Sequence, residues 1–147
     1  PGLRFTGWGV IEQRGNLLKF VSAGRIEVPG KELLGARLAL LFTALQQIVQ
    51  EIQPDVAAVE ETFSNVNARS TLKLGMARGV VMLAPALLGI QVAEYAANTV
   101  KKTVVGAGHA DKRQIQHMVQ VLLPQAKFEN ADAADALAVA ICHAHHV

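Results

Sequence analysis

Two pairs of acids and one lysine carry the residue types and spacings on which chemistry could be built. Glu60 and Glu61 close the apolar run of residues 56–59. A carboxylate at the carboxyl end of a strand lies where open α/β sheets place their ligand sites, and side-chain alternation lets only one of the two face a given side. A solvated strand end would explain the same residues. Asp132 and Asp135 stand three apart at the start of an alanine-rich helical segment, so both carboxylates share one face about a turn from each other. The helix N-terminus favours their ionised forms. Capping is an ordinary explanation here too, with Asp132 as N-cap and Asp135 three positions on, both satisfying free backbone amides. Lys112 falls in the first turn of another helix, where a cation opposes the macrodipole and a nearby phosphate would remove that cost. For an exposed lysine the cost is only roughly tenths of a kcal/mol. His143, His145 and His146 crowd the end of the sequence without a partner motif for a metal, which suits a solvated terminus. Cys142 reads as a small apolar residue rather than a nucleophile.

The elements that must position these groups can be read from periodicity. Residues 6–13 and 17–28 are rich in β-branched and aromatic residues and flank Arg14-Gly15-Asn16, a turn signal that predicts an antiparallel hairpin. Apolar residues recur at three and four positions from Leu33 through Leu41 and Leu45 to Ile52, marking a long amphipathic helix that Pro54 and Asp55 stop. The strand bearing Glu60 follows over residues 56–60. Residues 64–70 are polar and read as a loop, a second helix covers about residues 71–88 up to Gly89, and residues 91–95 form a further strand. The valine-rich piece 99–105 is not assigned by periodicity alone. Asp111 with Gln114 makes a capping box that opens a helix through Leu123, and residues 132–143 make the last helix. Strands alternating with helices predict an α/β fold, a sheet covered by helices, in a single domain spanning residues 1–147.

Composition agrees with that picture and removes several alternatives. A chain of 147 residues with 51% hydrophobic content has enough apolar surface for a packed core, which excludes disorder. The net charge of +2 and pI near 9.0 fit a nucleic-acid partner and are equally ordinary for a soluble domain. One cysteine excludes an internal disulfide and a cysteine-based zinc cluster, and a reducing cytoplasm is the expected compartment. Pro1-Gly2-Leu3-Arg4 has neither the apolar core nor the cleavage pattern of a secretory signal. The apolar run of residues 79–93 is interrupted by Pro85 and falls short of the roughly 20 residues a membrane helix needs, so a soluble protein with no membrane partner is expected.

Taken in order, longer stretches carry a specific resemblance. Pro1-Gly2-Leu3-Arg4 with Thr6-Gly7-Trp8-Gly9, then Val59-Glu60-Glu61-Thr62-Phe63, then Leu74-Gly75-Met76-Ala77-Arg78-Gly79, then Ala131-Asp132-Ala133-Ala134-Asp135-Ala136 resemble, across the whole chain, the motifs of the RuvC family of Holliday-junction resolvases. The first matches the family pattern Asp-Pro-Gly-x-x-x-x-Gly-x-Gly without its aspartate. The resemblance implies a ribonuclease H-like fold, a mixed five-stranded sheet flanked by helices. It implies a structure-selective endonuclease that resolves four-way junction DNA by paired, metal-dependent phosphodiester hydrolysis in homologous recombination and DNA repair.

The resemblance also implies the site. Four carboxylates would hold two Mg²⁺ ions, with Mn²⁺ able to substitute, and three of the four map onto Glu60, Asp132 and Asp135. The fourth would be an aspartate immediately ahead of Pro1, ending a strand that pairs with the hairpin; Glu61 stands where the family pattern is not catalytic. Lys101 and Lys112 match lysines that neutralise the scissile phosphate, and Phe63 matches an aromatic that contacts bases at the junction, although loose packing at a strand end would also suit it. Gly75 and Gly79 permit close helix approach, most simply within the chain; the resemblance implies a homodimer interface instead, two sites matching the two cleavage points of a junction. The branch-migration proteins RuvA and RuvB are further partners that the resemblance brings in and the residues do not decide. Two rivals stand beside this reading: a non-catalytic junction-binding module if the leading aspartate is absent, and a ribonuclease H-like nuclease with another substrate.

Overall fold

The computed structural model describes residues 2–61 and 67–147. Along the chain run β1 (Phe5–Arg14), β2 (Leu17–Glu27), α1 (Leu34–Ile52), β3 (Val56–Glu61), α2 (Ala68–Leu87), β4 (Gln91–Ala96), α3 (Ala97–Val105), α4 (Lys112–Leu122) and α5 (Ala131–His146). The hairpin turns where Gly15 and Asn16 separate its strands, and Gly15 takes a φ of 60° that a side-chain-bearing residue adopts only at a cost. The predicted capping box is present in both directions: Gln114 N donates to Asp111 Oδ1 at 2.8 Å, and Asp111 N donates to Gln114 Oε1 at 2.9 Å.

Three differences from the periodicity reading have local reasons. Helix α2 begins at Ala68 rather than near residue 71, because Asn67 caps it, its Oδ1 accepting from Arg69 N at 2.9 Å and Ser70 N at 3.3 Å. The valine-rich piece is helical as α3, with Val100 and Val104, one turn apart, both buried. Two β-branched residues on one buried face gain more from packing than their intrinsic helix preference loses. Helix α5 extends through His146 and starts behind Asn130.

Among the described residues β1 pairs with β2 and β3 pairs with β4, so the mixed α/β fold holds two two-stranded sheets where one five-stranded sheet was expected. Chain contacts divide the molecule into two compact units.

In the first unit, Pro1–Thr6 with Ile26–Glu94, α1 packs on α2. Leu41 and Leu45 of α1 meet Ala77 and Ala84 of α2, and Leu3 and Val28 complete the cluster. The small alanines let the helices approach, and fully burying a leucine such as Leu41 contributes about 2 kcal/mol. Val28 N donates to the Arg4 carbonyl at 2.8 Å, and Arg78 of α2 pairs with Glu94 of β4.

In the second unit, Gly7–Arg25 with Tyr95–Val147, α3, α4 and α5 pack against one another around Val104, Ile115, Val119, Leu137 and Ile141. The hairpin lies against α5: a Cβ at Gly9 would stand 2.7 Å from Leu137 Cδ2, and Gln13 Nε2 donates to the Ala144 carbonyl at 3.1 Å. The histidines at the end of α5 are not simply a solvated terminus. Tyr95 Oη and His143 Nδ1 share a hydrogen bond of 2.7 Å, and His143 is half-buried because the Tyr95 ring lies against it. Cys142 is fully buried, and burial pushes its thiol above the ordinary range.

Candidate acidic site

The start of α5 carries the acids, and its cap is made by another side chain. Asn130 caps the helix, its Oδ1 accepting from Ala133 N at 2.9 Å. The capping role considered for Asp132 and Asp135 is therefore taken by another side chain. Asp132 lies in the first turn and Asp135 one turn further along, where the macrodipole favours an anion at Asp132 most. Strand β1 presses on this turn. A Cβ at Gly7 would overlap the Asp132 carbonyl group, so only glycine lets the strand lie this close.

Charges from three other elements act on the two acids. Arg25 of β2 donates from Nη1 to Asp132 Oδ2 at 3.4 Å. Burial pushes the Asp135 carboxyl above the usual carboxylate range; Lys112 opposes the shift, the neighbouring charge of Asp132 adds to it, and Lys101 opposes it more weakly. Lys112 is exposed in the first turn of α4, as expected, and Lys101 is half-buried in α3. The second unit thus brings Asp132, Asp135, Lys101 and Lys112 into one electrostatic neighbourhood.

Glu60 belongs to the first unit. It is half-buried near the end of β3 behind the buried Val59, and Glu61, half-buried as well, continues the strand by one residue beyond the expected end. Phe63 lies outside the described residues. Among the described residues no group of three or more histidine, cysteine, aspartate or glutamate side chains is gathered to hold a metal ion. The donor chemistry at Asp132 and Asp135 nevertheless fits a divalent cation, since two hard carboxylate oxygens share one face and the partly buried one is penalised for its charge. Three contributors were missed in the sequence reading: Asn130, which its position before an alanine-rich helix could have revealed, and Gly7 and Arg25, whose roles depend on contacts with a helix more than a hundred residues away.

Comparison with known proteins adds a family. The family model described as crossover junction endodeoxyribonuclease RuvC matches residues 1–143. A protein of that name from Rhodopseudomonas palustris is 61% identical over 146 residues, 99% of this chain and 84% of its own length. One from Nitrobacter hamburgensis is 58% identical, with 99% and 86% covered. Among solved structures, Thermus thermophilus RuvC in complex with Holliday junction substrate is similar with a TM-score of 0.91 at 28% identity, covering 99% of this chain and 90% of that one. The yeast mitochondrial Holliday junction resolvase Ydc2, at 11% identity and a TM-score of 0.66, shares the fold.

Proposed function

Because this chain belongs to the crossover junction endodeoxyribonuclease RuvC family, we propose that it resolves four-way Holliday junctions by paired, metal-dependent phosphodiester hydrolysis in recombination and DNA repair. The observation that carries this reading is the likeness over 99% of the chain to a relative whose solved complex holds a Holliday junction. The family match runs through residues 1–143 and so supports one nuclease domain across both compact units.

On the family resemblance, Glu60, Asp132 and Asp135 would hold two Mg²⁺ ions, with Mn²⁺ able to substitute. When bound, the metal supplies activation of the attacking water and neutralisation of charge on the leaving 3′ oxygen, leaving a 5′ phosphate. Asp132 and Asp135 act from a capped helix start, which fixes their spacing before any ligand arrives. Lys101 and Lys112 balance Asp135 in the free protein and meet the charge of the scissile phosphate in the complex. Phe63 stacks on bases opened at the crossover.

The partner of this chain is a second copy of itself. On α2, Leu72, Met76, Gly79, Leu83 and Leu87 recur every three or four residues and are exposed, and a Cβ at Gly75 or Gly79 would meet nothing within 4 Å. A two-fold dimer built on this stripe matches the symmetry of a junction with two equivalent cleavage points. RuvA and RuvB are proposed as assembly partners on family grounds. One buried free cysteine and a DNA substrate support a cytoplasmic location; no helix among the described residues is long and apolar enough to cross a membrane.

The test compares substrates and metals on the full-length gene product. A labelled four-way junction is expected to be nicked symmetrically in Mg²⁺ and left intact in EDTA, while an RNA–DNA hybrid of the same sequence survives. Cleavage of the hybrid as fast as the junction would overturn the assignment.

A further inference from the structure

One side of the β1-β2 hairpin faces α5, and alternation decides which residues lie on it. Gly7 and Gly9 lie there, since neither has room for a Cβ against the backbone of Asp132 or the Leu137 side chain. Trp8 points the other way, covering Gly24, where a Cβ would stand 2.9 Å from the indole Nε1. Arg25 follows Gly24 along β2 and so projects to the α5 side, where it meets Asp132 across 107 residues of sequence. This guanidinium is not a leftover surface charge. It reaches one of the two acids read here as metal ligands, and the other faces Lys112 and Lys101.

Resting on that reading of Asp132 and Asp135, we propose that Arg25 is a placeholder cation, balancing Asp132 when no divalent ion is bound and competing with that ion for the carboxylate, so that it sets the metal concentration the protein requires. Arginine suits the task because it stays charged at any working pH and offers only donors, so it can neutralise a carboxylate but cannot itself ligate a metal. The contact is made for exchange. At 3.4 Å, with 34% of the Arg25 side chain and 42% of the Asp132 side chain exposed, its contact with Asp132 is long and solvent-reached rather than a buried fork. Such pairs stabilise a fold little. Its larger effect is on the field at Asp132, where one positive charge opposes the approach of a second cation. Arg25 is in these terms a positioning residue, acting on the reaction through Asp132.

The experiment titrates Mn²⁺ into DNA-free protein and follows the free ion by electron paramagnetic resonance for wild type, Arg25→Gln and Arg25→Lys. Arg25→Gln should bind Mn²⁺ about tenfold more tightly, as expected when one like charge leaves the neighbourhood of a cation, and Arg25→Lys should stay near wild type. Thermal unfolding separates this from a structural role: Arg25→Gln should melt only slightly below wild type in EDTA and level with it in saturating Mn²⁺. If wild type binds no Mn²⁺, the metal reading fails and the proposal falls with it. If wild type binds but Arg25→Gln binds no more tightly, or its melting deficit persists in metal, the metal reading stands and Arg25 is only part of the architecture.

Discussion

At Asp135 folding and the proposed metal ligation pull in opposite directions, because burial favours the protonated acid while ligation would need the ionised one. Its carboxyl is raised in the folded chain above its ordinary value, mainly by burial. Between the unfolded and folded values the native state therefore holds more proton than the unfolded state, and stability from this group falls as pH rises through that window. Above the folded value the full penalty remains. Asp135→Asn should accordingly abolish junction cleavage yet melt at a higher temperature than wild type in EDTA at pH 7.5, with the gap closing as pH falls toward 4. A variant that melts lower at pH 7.5 would contradict the burial argument. A second pair of changes tests the acids of β3: Glu60→Gln should reduce the cleavage rate by orders of magnitude and Glu61→Gln by little, measured at equal melting temperature. Residue types alone made Glu60, Asp132 and Asp135 legible as candidates. That Asp132 does not cap the helix was not, since an aspartate at a helix start can serve as cap until the nearby Asn130 is seen to hold the amide.

At the scale of elements, the α5 start works as a joint between a capped helix and a strand lacking side chains at Gly7 and Gly9. Gly7→Ala places a methyl group against the Asp132 carbonyl and must push the strand or the helix aside. Overpacking of this kind costs about 1–3 kcal/mol, so denaturant unfolding should show a loss in that range together with a fall in cleavage. An alanine variant with wild-type cleavage would mean that the joint does not position the acids. Strands and helices with strong local signals were legible: the hairpin from its turn, α1 from its apolar spacing, α4 from its reciprocal cap. Helix α3 was not, because valines at 100, 104 and 105 favour a strand locally and are overruled by the face they bury. The α2 start was missed because Asn67 looked like one more polar loop residue.

For the whole molecule the decisive contacts join distant parts of the chain, and these were the least legible. Arg25 and Asp132 have no shared pattern in sequence, and nothing local announces that, among the described residues, the strands pair as two two-stranded sheets. The exposed stripe on α2 could be foreseen only in part, from the spacing of Gly75 and Gly79. Its role is testable through assembly. Leu83→Glu, which puts a charge on a side chain already 48% exposed, should leave the melting temperature of the monomer fold nearly unchanged and shift sedimentation from dimer to monomer. Junctions should then be nicked on one strand rather than cut in paired fashion. A dimeric, fully active Leu83→Glu protein would place the interface elsewhere.

The single thiol of the chain gives the acid-bearing helix a clock of its own. Cys142 has no exposed surface, and it lies on α5 with Asp132 and Asp135. A thiol-blocking reagent can reach it only when its surroundings open, and with no other cysteine in the sequence every labelled molecule records that one event. At reagent concentrations where labelling outpaces reclosing, the labelling rate thus counts native-state openings around α5, with no residue changed.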